Sequence, residues 1–156
     1  MPPVPWKMSR AIHRRIGGLA EAEFPREACG LLFGEDGALE VVPMENVQDR
    51  LHAADPERHP RTARTAYAFD PGKLLRVLEE KEAASLPLRA IYHSHPDHDA
   101  YFSEEDSAFA APFGEPSYPG VVYLVYSVRS GKAADLKAFD WSEESGAYVE
   151  VPVEVE

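Results

Sequence analysis

Hydrophobic positions recur at helical spacing near the start of the chain. Met8, Ile12, Ile16 and Leu19 fall three or four residues apart, which predicts one amphipathic helix. Two adjacent glycines inside this segment weaken its helix propensity. Pro25 has no backbone N–H to donate, so we expect the helix to end before that residue.

A second helix is predicted after Asp70. Asp70 is a good N-cap residue, and Pro71 suits the first helical position because an N–H is not needed there. We expect this helix to continue to about Ala84. Three leucines should face inward from it: Leu74, Leu75 and Leu78. A third and shorter helix is predicted over residues 103–110.

Short apolar runs predict the strands. Residues 121–128 are so evenly apolar that we expect a central strand buried on both faces. The other predicted strands are 29–33, 39–42, 66–69, 88–93, 133–141 and 147–153, with turns at 34–37 and 143–146. Helices interspersed with strands predict a mixed central β-sheet flanked by helices, an α/β or α+β fold.

The length of 156 residues predicts a single domain, 1–156. The pattern stops at residues 45–65, where the sequence is polar, contains two prolines and lacks any period. Long loops are uncommon in compact domains and are often functional or disordered. We therefore predict a flexible loop here. It is either a simple solvated loop or a substrate-contacting one, in which the contacts would come from Arg58, Arg61 and Arg64.

The charge balance excludes some classes of partner. The chain has 27 Asp plus Glu against 16 Lys plus Arg, a formal net charge of −11. This balance argues against nucleic acid and against an anionic membrane surface, since both attract clustered Lys and Arg. A single cysteine excludes a disulfide framework and a four-cysteine zinc site. Because neither a signal peptide nor a membrane-spanning run is visible, we expect a cytoplasmic protein.

Three of the six histidines, His93, His95 and His98, lie within six positions. Side chains at positions i and i+2 of a strand point to the same face. His93 and His95 are therefore a candidate pair of metal ligands at the end of a strand. By themselves, two such histidines are more often simply surface residues at a strand end.

Ser103 and Asp106 add a carboxylate to this pair. Their S-x-x-D spacing predicts a capping box, which would hold Asp106 in the first turn of a helix. Two imidazoles and one carboxylate leave a fourth tetrahedral position open for water, the pattern of catalytic zinc. Glu27 is the candidate general base, although spacing alone does not separate it from Glu21 or Glu23.

Together these residues resemble the JAMM motif of the MPN+ metalloproteases, H-x-H-P-x6-S-x-x-D, which His93, His95, Ser103 and Asp106 match. The segment PREACGLLFG resembles the first signature of that family, a Glu before a Cys-Gly-Leu-Leu strand. The resemblance implies a cytidine-deaminase-like MPN-type domain with one zinc per chain. Phe102 departs from the pattern, since many members have Pro there.

The resemblance also implies a role for each matching residue. His93, His95 and Asp106 would be the zinc ligands, with water as the fourth. Glu27 would take a proton from that water and pass it to the departing amine. Ser103 would donate a hydrogen bond to the developing oxyanion, as electrostatic stabilisation requires.

The resemblance finally implies a class of substrate. The family hydrolyses bonds after the C-terminal Gly-Gly of ubiquitin-like proteins, and the short chain is similar to small stand-alone prokaryotic members. Similarity to these members implies a sulfur-carrier protein as partner, with release of cysteine or a C-terminal extension.

His98 matches no ligand position and is interpreted as a loop residue or a substrate contact. A homodimer stays open. So do three alternatives: a zinc amidase acting on a small molecule, a non-catalytic MPN scaffold, and a DNA-repair-associated relative, which the net charge disfavours.

Overall fold

In the computed structural model, which describes residues 3–35 and 37–156, helices and strands follow one another in mixed order. The helices are α1 (Arg10–Glu23), α2 (Gln48–Ala54), α3 (Pro71–Ala83) and α4 (Glu104–Ala110). The strands are β1 (Trp6–Met8), β2 (Cys29–Phe33), β3 (Glu40–Met44), β4 (Leu88–Pro96), β5 (Val122–Arg129), β6 (Lys132–Ser142), β7 (Ala147–Val151) and β8 (Val153–Val155).

Six strands form the central sheet in the order β3-β2-β4-β5-β6-β7. The β4–β5 pair is parallel and the other neighbouring pairs are antiparallel, so the sheet is mixed, as predicted. Parallel neighbours need a crossover connection. Here the chain leaves β4 at Pro96, passes through α4 and returns at Val122. The short β1, which was not predicted, pairs in parallel with β8.

Apolar side chains cover both faces of the sheet. Ile16 of α1 packs with Tyr92 on one face, and Ile91 packs with Tyr67 on the other. Because successive strand residues alternate between faces, His93 shares the face of Ile91 and Tyr67. The predicted central strand is confirmed, since all side chains at 123–128 in β5 are buried.

The start of α3 confirms the predicted cap. The Asp70 carboxylate accepts hydrogen bonds from the backbone N–H groups of Gly72 (2.9 Å) and Lys73 (3.2 Å), and Pro71 occupies the first turn. The bond from Lys73, the larger influence, and the bond from Gly72 lower the pKa of Asp70. The capping side chain is therefore ionised at neutral pH.

The prediction for the inward face of α3 is wrong at one position. Leu74 and Leu78 pack against the cluster around Tyr67, but Leu75 is 57% exposed. Val77 packs on the cluster instead. Each residue turns the helix by about 100°, so residues 74, 77 and 78 share a stripe that Leu75 leaves.

The predicted strand at 66–69 is wrong. Tyr67 and Phe69 are buried, as their apolar character indicated, but the segment joins neither sheet of the described chain. Its backbone bonds to residues 46 and 47 instead: Ala68 N donates to Asn46 Oδ1 at 3.1 Å, and Ala68 O accepts from Val47 N at 3.0 Å. Alternate burial of two aromatic residues thus produced a strand-like pattern without strand pairing.

Residues 45–65, predicted as a loop, are loop only in part because they contain α2. This helix has seven residues, too few to show a clear hydrophobic period. Its N-cap residue, Val47, makes no capping hydrogen bond through its side chain. Neither a period nor a capping residue was therefore present to indicate it in the sequence.

The β2–β3 hairpin is confirmed by pairing of Phe33 with Glu40, although Asp36 of its predicted turn lies outside the described residues. One strand further in, Gly30 pairs with Tyr92. The Tyr92 ring covers the Gly30 backbone so closely that a Cβ atom at position 30 would overlap it.

Across the described ranges, no helix combines the length and the apolar character needed to cross a membrane.

Candidate active site

The two predicted histidine ligands lie side by side at the end of β4. His93 and His95 are both buried, and their Nε2 atoms are 3.2 Å apart. The His93 ring is stacked on Tyr67, with ring centroids 4.6 Å apart. Strand alternation and this stacking together direct both Nε2 atoms toward the same point.

Asp106 reaches that point from α4. Its Oδ1 lies 3.1 Å from His93 Nε2, and its Oδ2 lies 3.2 Å from His95 Nε2. The predicted capping box holds it there, because Ser103 N donates to Asp106 Oδ2 and Asp106 N donates to Ser103 Oγ, both at 3.0 Å. Burial by itself would raise the pKa of Asp106, but the adjacent imidazoles, His93 foremost, lower it overall.

The contacts of His95 show that this cluster suits a metal ion. His95 Nδ1 lies 2.8 Å from the backbone oxygen of Asp99, which accepts but cannot donate. A neutral His95 therefore carries its proton on Nδ1 and directs the Nε2 lone pair at His93 and Asp106. One ligand atom from each of the three residues lies within 4.8 Å of the others. Imidazoles and a carboxylate in this arrangement fit zinc.

The loop that supplies the Asp99 oxygen is itself held by β5. Ser127 Oγ donates to His98 O, and Arg129 Nη1 donates to Asp97 O at 2.9 Å. Arg129 also pairs with the Asp99 carboxylate. These bonds fix the loop that orients the His95 ring.

Glu27 lies two residues before β2 and lines the same cleft as His95. Its side chain is buried, and its Oε1 has no hydrogen-bond partner within the described ranges. Burial, and next the charge of Asp106, raise the pKa of Glu27 well above its ordinary value. The two acids that spacing could not separate from it lie elsewhere. Glu21 accepts a hydrogen bond from Ala133 N at 2.8 Å, and Glu23 pairs with Arg26 at 3.7 Å.

The backbone of Glu27 is fixed by a residue that the sequence reasoning missed. Asn46 Nδ2 donates to Glu27 O at 2.9 Å and to Ala66 O at 3.1 Å. Its Oδ1 accepts from Gln48 N at 3.0 Å and from Ala68 N at 3.1 Å. Asn46 therefore ties three chain segments together, but a lone Asn in a polar stretch gives no sequence signal for this.

These groups meet in one cleft with a volume of about 280 Å³. Six of the predicted site residues line the cleft: Glu27, Arg61, Arg64, His95, His98 and Ser103. The buried His93 and Asp106 are not part of its lining, and neither is Arg58. Thr65, Tyr101 and Glu105 line it as well and were not predicted. An exposed aromatic such as Tyr101, between two site motifs, is a signal that sequence reasoning could have used.

The remaining thiol takes no part in this site. Cys29 is buried in the apolar cluster around Tyr67 and is a core residue. Burial, and next the charge of Glu27, raise the pKa of Cys29. A thiol kept protonated in this way is a poor nucleophile and a poor metal ligand.

Comparison with known proteins identifies the family. Residues 9–142 match the family described as prokaryotic homologs of the JAB domain. The chain belongs to this family. Over 145 residues it is 34% identical to the desampylase of Haloferax volcanii, covering 91% of this chain and 87% of that protein. Over 136 residues it is 30% identical to the CysO-cysteine peptidase of Mycobacterium tuberculosis, covering 87% and 81%.

The fold of this JAB family member is similar to the crystal structure of a JAB1/MPN domain protein from Archaeoglobus fulgidus. The TM-score is 0.53 at 17% identity, covering 97% of this chain and 100% of that chain. At this identity the likeness concerns the fold alone. The predicted fold class is thereby confirmed, and the family match over residues 9–142 confirms the resemblance to the JAMM/MPN+ family.

Proposed function

We propose that this chain is a zinc-dependent metallopeptidase that hydrolyses the bond after a C-terminal Gly-Gly of a ubiquitin-like or sulfur-carrier protein. One observation carries the proposal: the ligand atoms of His93, His95 and Asp106 converge, and Glu27 lines the same cleft as His95. Membership of a JAB family that includes a desampylase and a peptidase supports a hydrolytic enzyme. A scaffold without catalysis would have no use for a buried carboxylate beside a complete ligand set.

His93, His95 and Asp106 would hold the zinc. When bound, zinc supplies a Lewis acid and lowers the pKa of water to roughly 7. The protein keeps these three side chains in position through the stack on Tyr67, the Asp99 carbonyl and the α4 capping box. Such supporting contacts typically change metal affinity by about 10–100-fold when lost.

Glu27 would act as the general acid/base. Its unpartnered Oε1 is free to take the proton of the attacking water and later to return it to the departing amine. Burial, and next the charge of Asp106, raise its pKa well above the ordinary value, which suits a group that must both accept and donate a proton. Glu21 and Glu23 have other partners and do not line the cleft.

Ser103 would stabilise the oxyanion. Its Oγ accepts the Asp106 N–H, which leaves the hydroxyl proton without an acceptor in the described part of the chain. That proton is available for the negative charge that develops on the scissile carbonyl oxygen. The same side chain thus caps α4, places Asp106 and contributes a donor.

A cleft of about 280 Å³ suits an extended tail of small residues. A Gly-Gly segment has no side chains to accommodate, so its backbone can approach the metal ligands closely. The relatives named above support a carrier of this kind, and release of cysteine or a C-terminal extension belongs to the same proposal. A homodimer and a cytoplasmic location stay predictions.

The test is to incubate the zinc-loaded protein with a Gly-Gly-tailed carrier from the same genome that bears one further C-terminal residue. Mass spectrometry should show loss of that residue with wild type and an intact substrate with Glu27→Gln. Glu23→Gln, which changes an acid outside the cleft, should retain activity. Cleavage of small amides but never of the carrier would replace the proposal with a small-molecule zinc amidase.

A further inference from the structure

Arg64 is a cation without a counter-charge in the cleft. Its backbone N–H bonds to Thr62 Oγ1, but no carboxylate in the described ranges pairs with its guanidinium. Arg61, which also lines the cleft, is already paired with Glu105 at 2.7 Å. Two arginines therefore face the site, and Arg64 is the one whose charge remains available to a ligand.

The backbone places Arg64 beside the general base. Glu27 N donates to Ala63 O at 2.7 Å, so the residue before Arg64 is bonded directly to Glu27. Ala63 N in turn donates to Asp49 Oδ1 at 2.8 Å, and Ala63 is completely buried. This segment is thus fixed from both sides, although the Arg64 side chain itself is exposed.

Helix α2 makes a second hydrogen bond to residues 61–64. Gln48 Nε2 donates to Arg61 O at 3.0 Å. Gln48 and Asp49 are the first two residues of α2, so this helix positions 61–64 against Glu27. The unpredicted α2 therefore has a structural role in shaping the cleft.

We propose that Arg64 binds the free α-carboxylate of the residue that is released, so that the enzyme favours a single C-terminal amino acid as leaving group. The proposal rests on the function proposed above. Glu27 must reach the departing amine, and in an amino acid the carboxylate is one carbon atom away from that amine. Arg64 lines the same cleft as Glu27, so its guanidinium can bind this carboxylate there in bidentate fashion.

The acidic groups around the cleft favour a cation at this position. Glu27 and Glu105 line the cleft, and Asp106 lies behind it, so a leaving group with a carboxylate would meet repulsion without Arg64. A lysine in an isopeptide bond differs. Its departing ε-amine is a full side chain away from its own α-carbon, whose carboxyl group is part of a peptide bond. It would gain nothing from Arg64.

The test compares two carriers that end in Gly-Gly-Ala, one with a free C-terminal carboxylate and one with a C-terminal amide. Zinc-loaded wild type should have a kcat/KM at least about tenfold higher for the carboxylate, the size expected for a charge-assisted hydrogen bond. Arg64→Ala should remove this preference by slowing the carboxylate substrate alone. Arg64→Lys should keep part of this preference, since lysine retains the positive charge but lacks the planar guanidinium that binds a carboxylate in bidentate fashion.

Arg58→Ala is the matched control, because Arg58 belongs to the same segment but does not line the cleft. It should leave the carboxylate-to-amide ratio unchanged. Equal rates of wild type on both carriers, or an equal loss on both in Arg64→Ala, would overturn the inference while the proposed hydrolysis stands.

A binding measurement gives a readout that does not depend on turnover. In the Glu27→Gln background, calorimetry should give a Kd for the carboxylate carrier at least about tenfold lower than for the amide, and Arg64→Ala should equalise the two. If wild type cleaves neither carrier, the proposed function fails, and the two Kd values still decide whether Arg64 recognises the carboxylate. Equal Kd values would reject that recognition.

Discussion

The two sides of the cleft are built in opposite ways. The motif side, His93, His95, Ser103 and Asp106, comes from one strand, one loop and one helix start that are close in sequence. The loop side, formed by Glu27 and residues 61–65, comes from segments far apart in sequence and joined by the Glu27 N to Ala63 O bond. Under the proposed function, the first would hold the metal and the second would serve proton transfer and substrate contact.

The two sides also differ in how far the sequence predicts them. Strand alternation and a capping box fix the motif side by local rules, so residue spacing alone indicates it. On the loop side the bonds of Asn46 and Gln48 connect residues 13 to 22 positions apart, and no local rule describes them. Substitutions on the two sides should therefore have different effects. On the motif side, activity should be lost together with the metal, whereas on the loop side activity should be lost while the metal stays bound.

The largest effect is expected on the motif side from Asp106→Asn. It keeps the size of the side chain but removes the charge that both histidines contact, so zinc content and turnover should both fall to background. Mass spectrometry of the metal and the carrier assay measure the two. Glu104→Gln, an exposed neighbour on α4, should retain both. An active zinc-free protein would contradict the assigned ligands.

On the loop side, Glu27→Gln should lower kcat by roughly 10²–10⁴-fold while zinc stays at wild-type content. Kinetics and metal analysis on the same preparation measure the two quantities. Loss of zinc together with activity would place Glu27 among the groups that hold the metal. The contrast with Asp106→Asn is the sharpest separation of the two sides.

The same Glu27→Gln variant should change the pH dependence of stability. Burial raises the pKa of Glu27 in the folded protein, so wild type loses stability as pH rises from the unfolded-state pKa, about 4.3, through the folded value. Glutamine does not ionise. The variant should therefore melt at a higher temperature than wild type at pH 8, and the gap should close toward pH 4. A gap that is independent of pH would show that the Glu27 carboxyl is not the cause.

A smaller effect is expected from Asn46→Asp. Aspartate keeps the acceptor for Gln48 N and Ala68 N but loses both donors, and it faces the Glu27 and Ala66 oxygens with a negative charge. We expect about 2 kcal/mol less stability in denaturant unfolding, the loss of two hydrogen bonds. The value of kcat should fall with normal zinc content. Unchanged kcat would mean that Glu27 does not depend on this anchor.

The smallest effect is expected from Ser127→Ala on β5. It removes the hydroxyl bond to His98 O and loosens the loop whose Asp99 oxygen orients His95. Because the change acts through an intermediate loop, the zinc Kd should rise by less than about tenfold in a chelator competition. Ser145→Ala, in an exposed turn, serves as control. A wild-type zinc Kd in Ser127→Ala would show that Arg129 suffices to hold the loop.

Much of the fold and of the motif side was open to prediction from the sequence. The even apolar run of β5, the Asp70 cap of α3 and the Ser103–Asp106 box each follow from local physical rules. The misses share one cause. Leu75, the supposed strand at 66–69 and α2 depend on what packs or bonds from elsewhere, which a single sequence does not encode locally.

The close packing of Gly30 under Tyr92 limits how this protein can vary. Gly30 carries no chemistry of its own, yet even alanine there would displace the Tyr92 ring. Tyr92 adjoins His93 in β4, so the disturbance would reach a ligand position through the backbone. A screen of random variants should thus find position 30 as intolerant as the site itself, for a reason of space and not of reactivity.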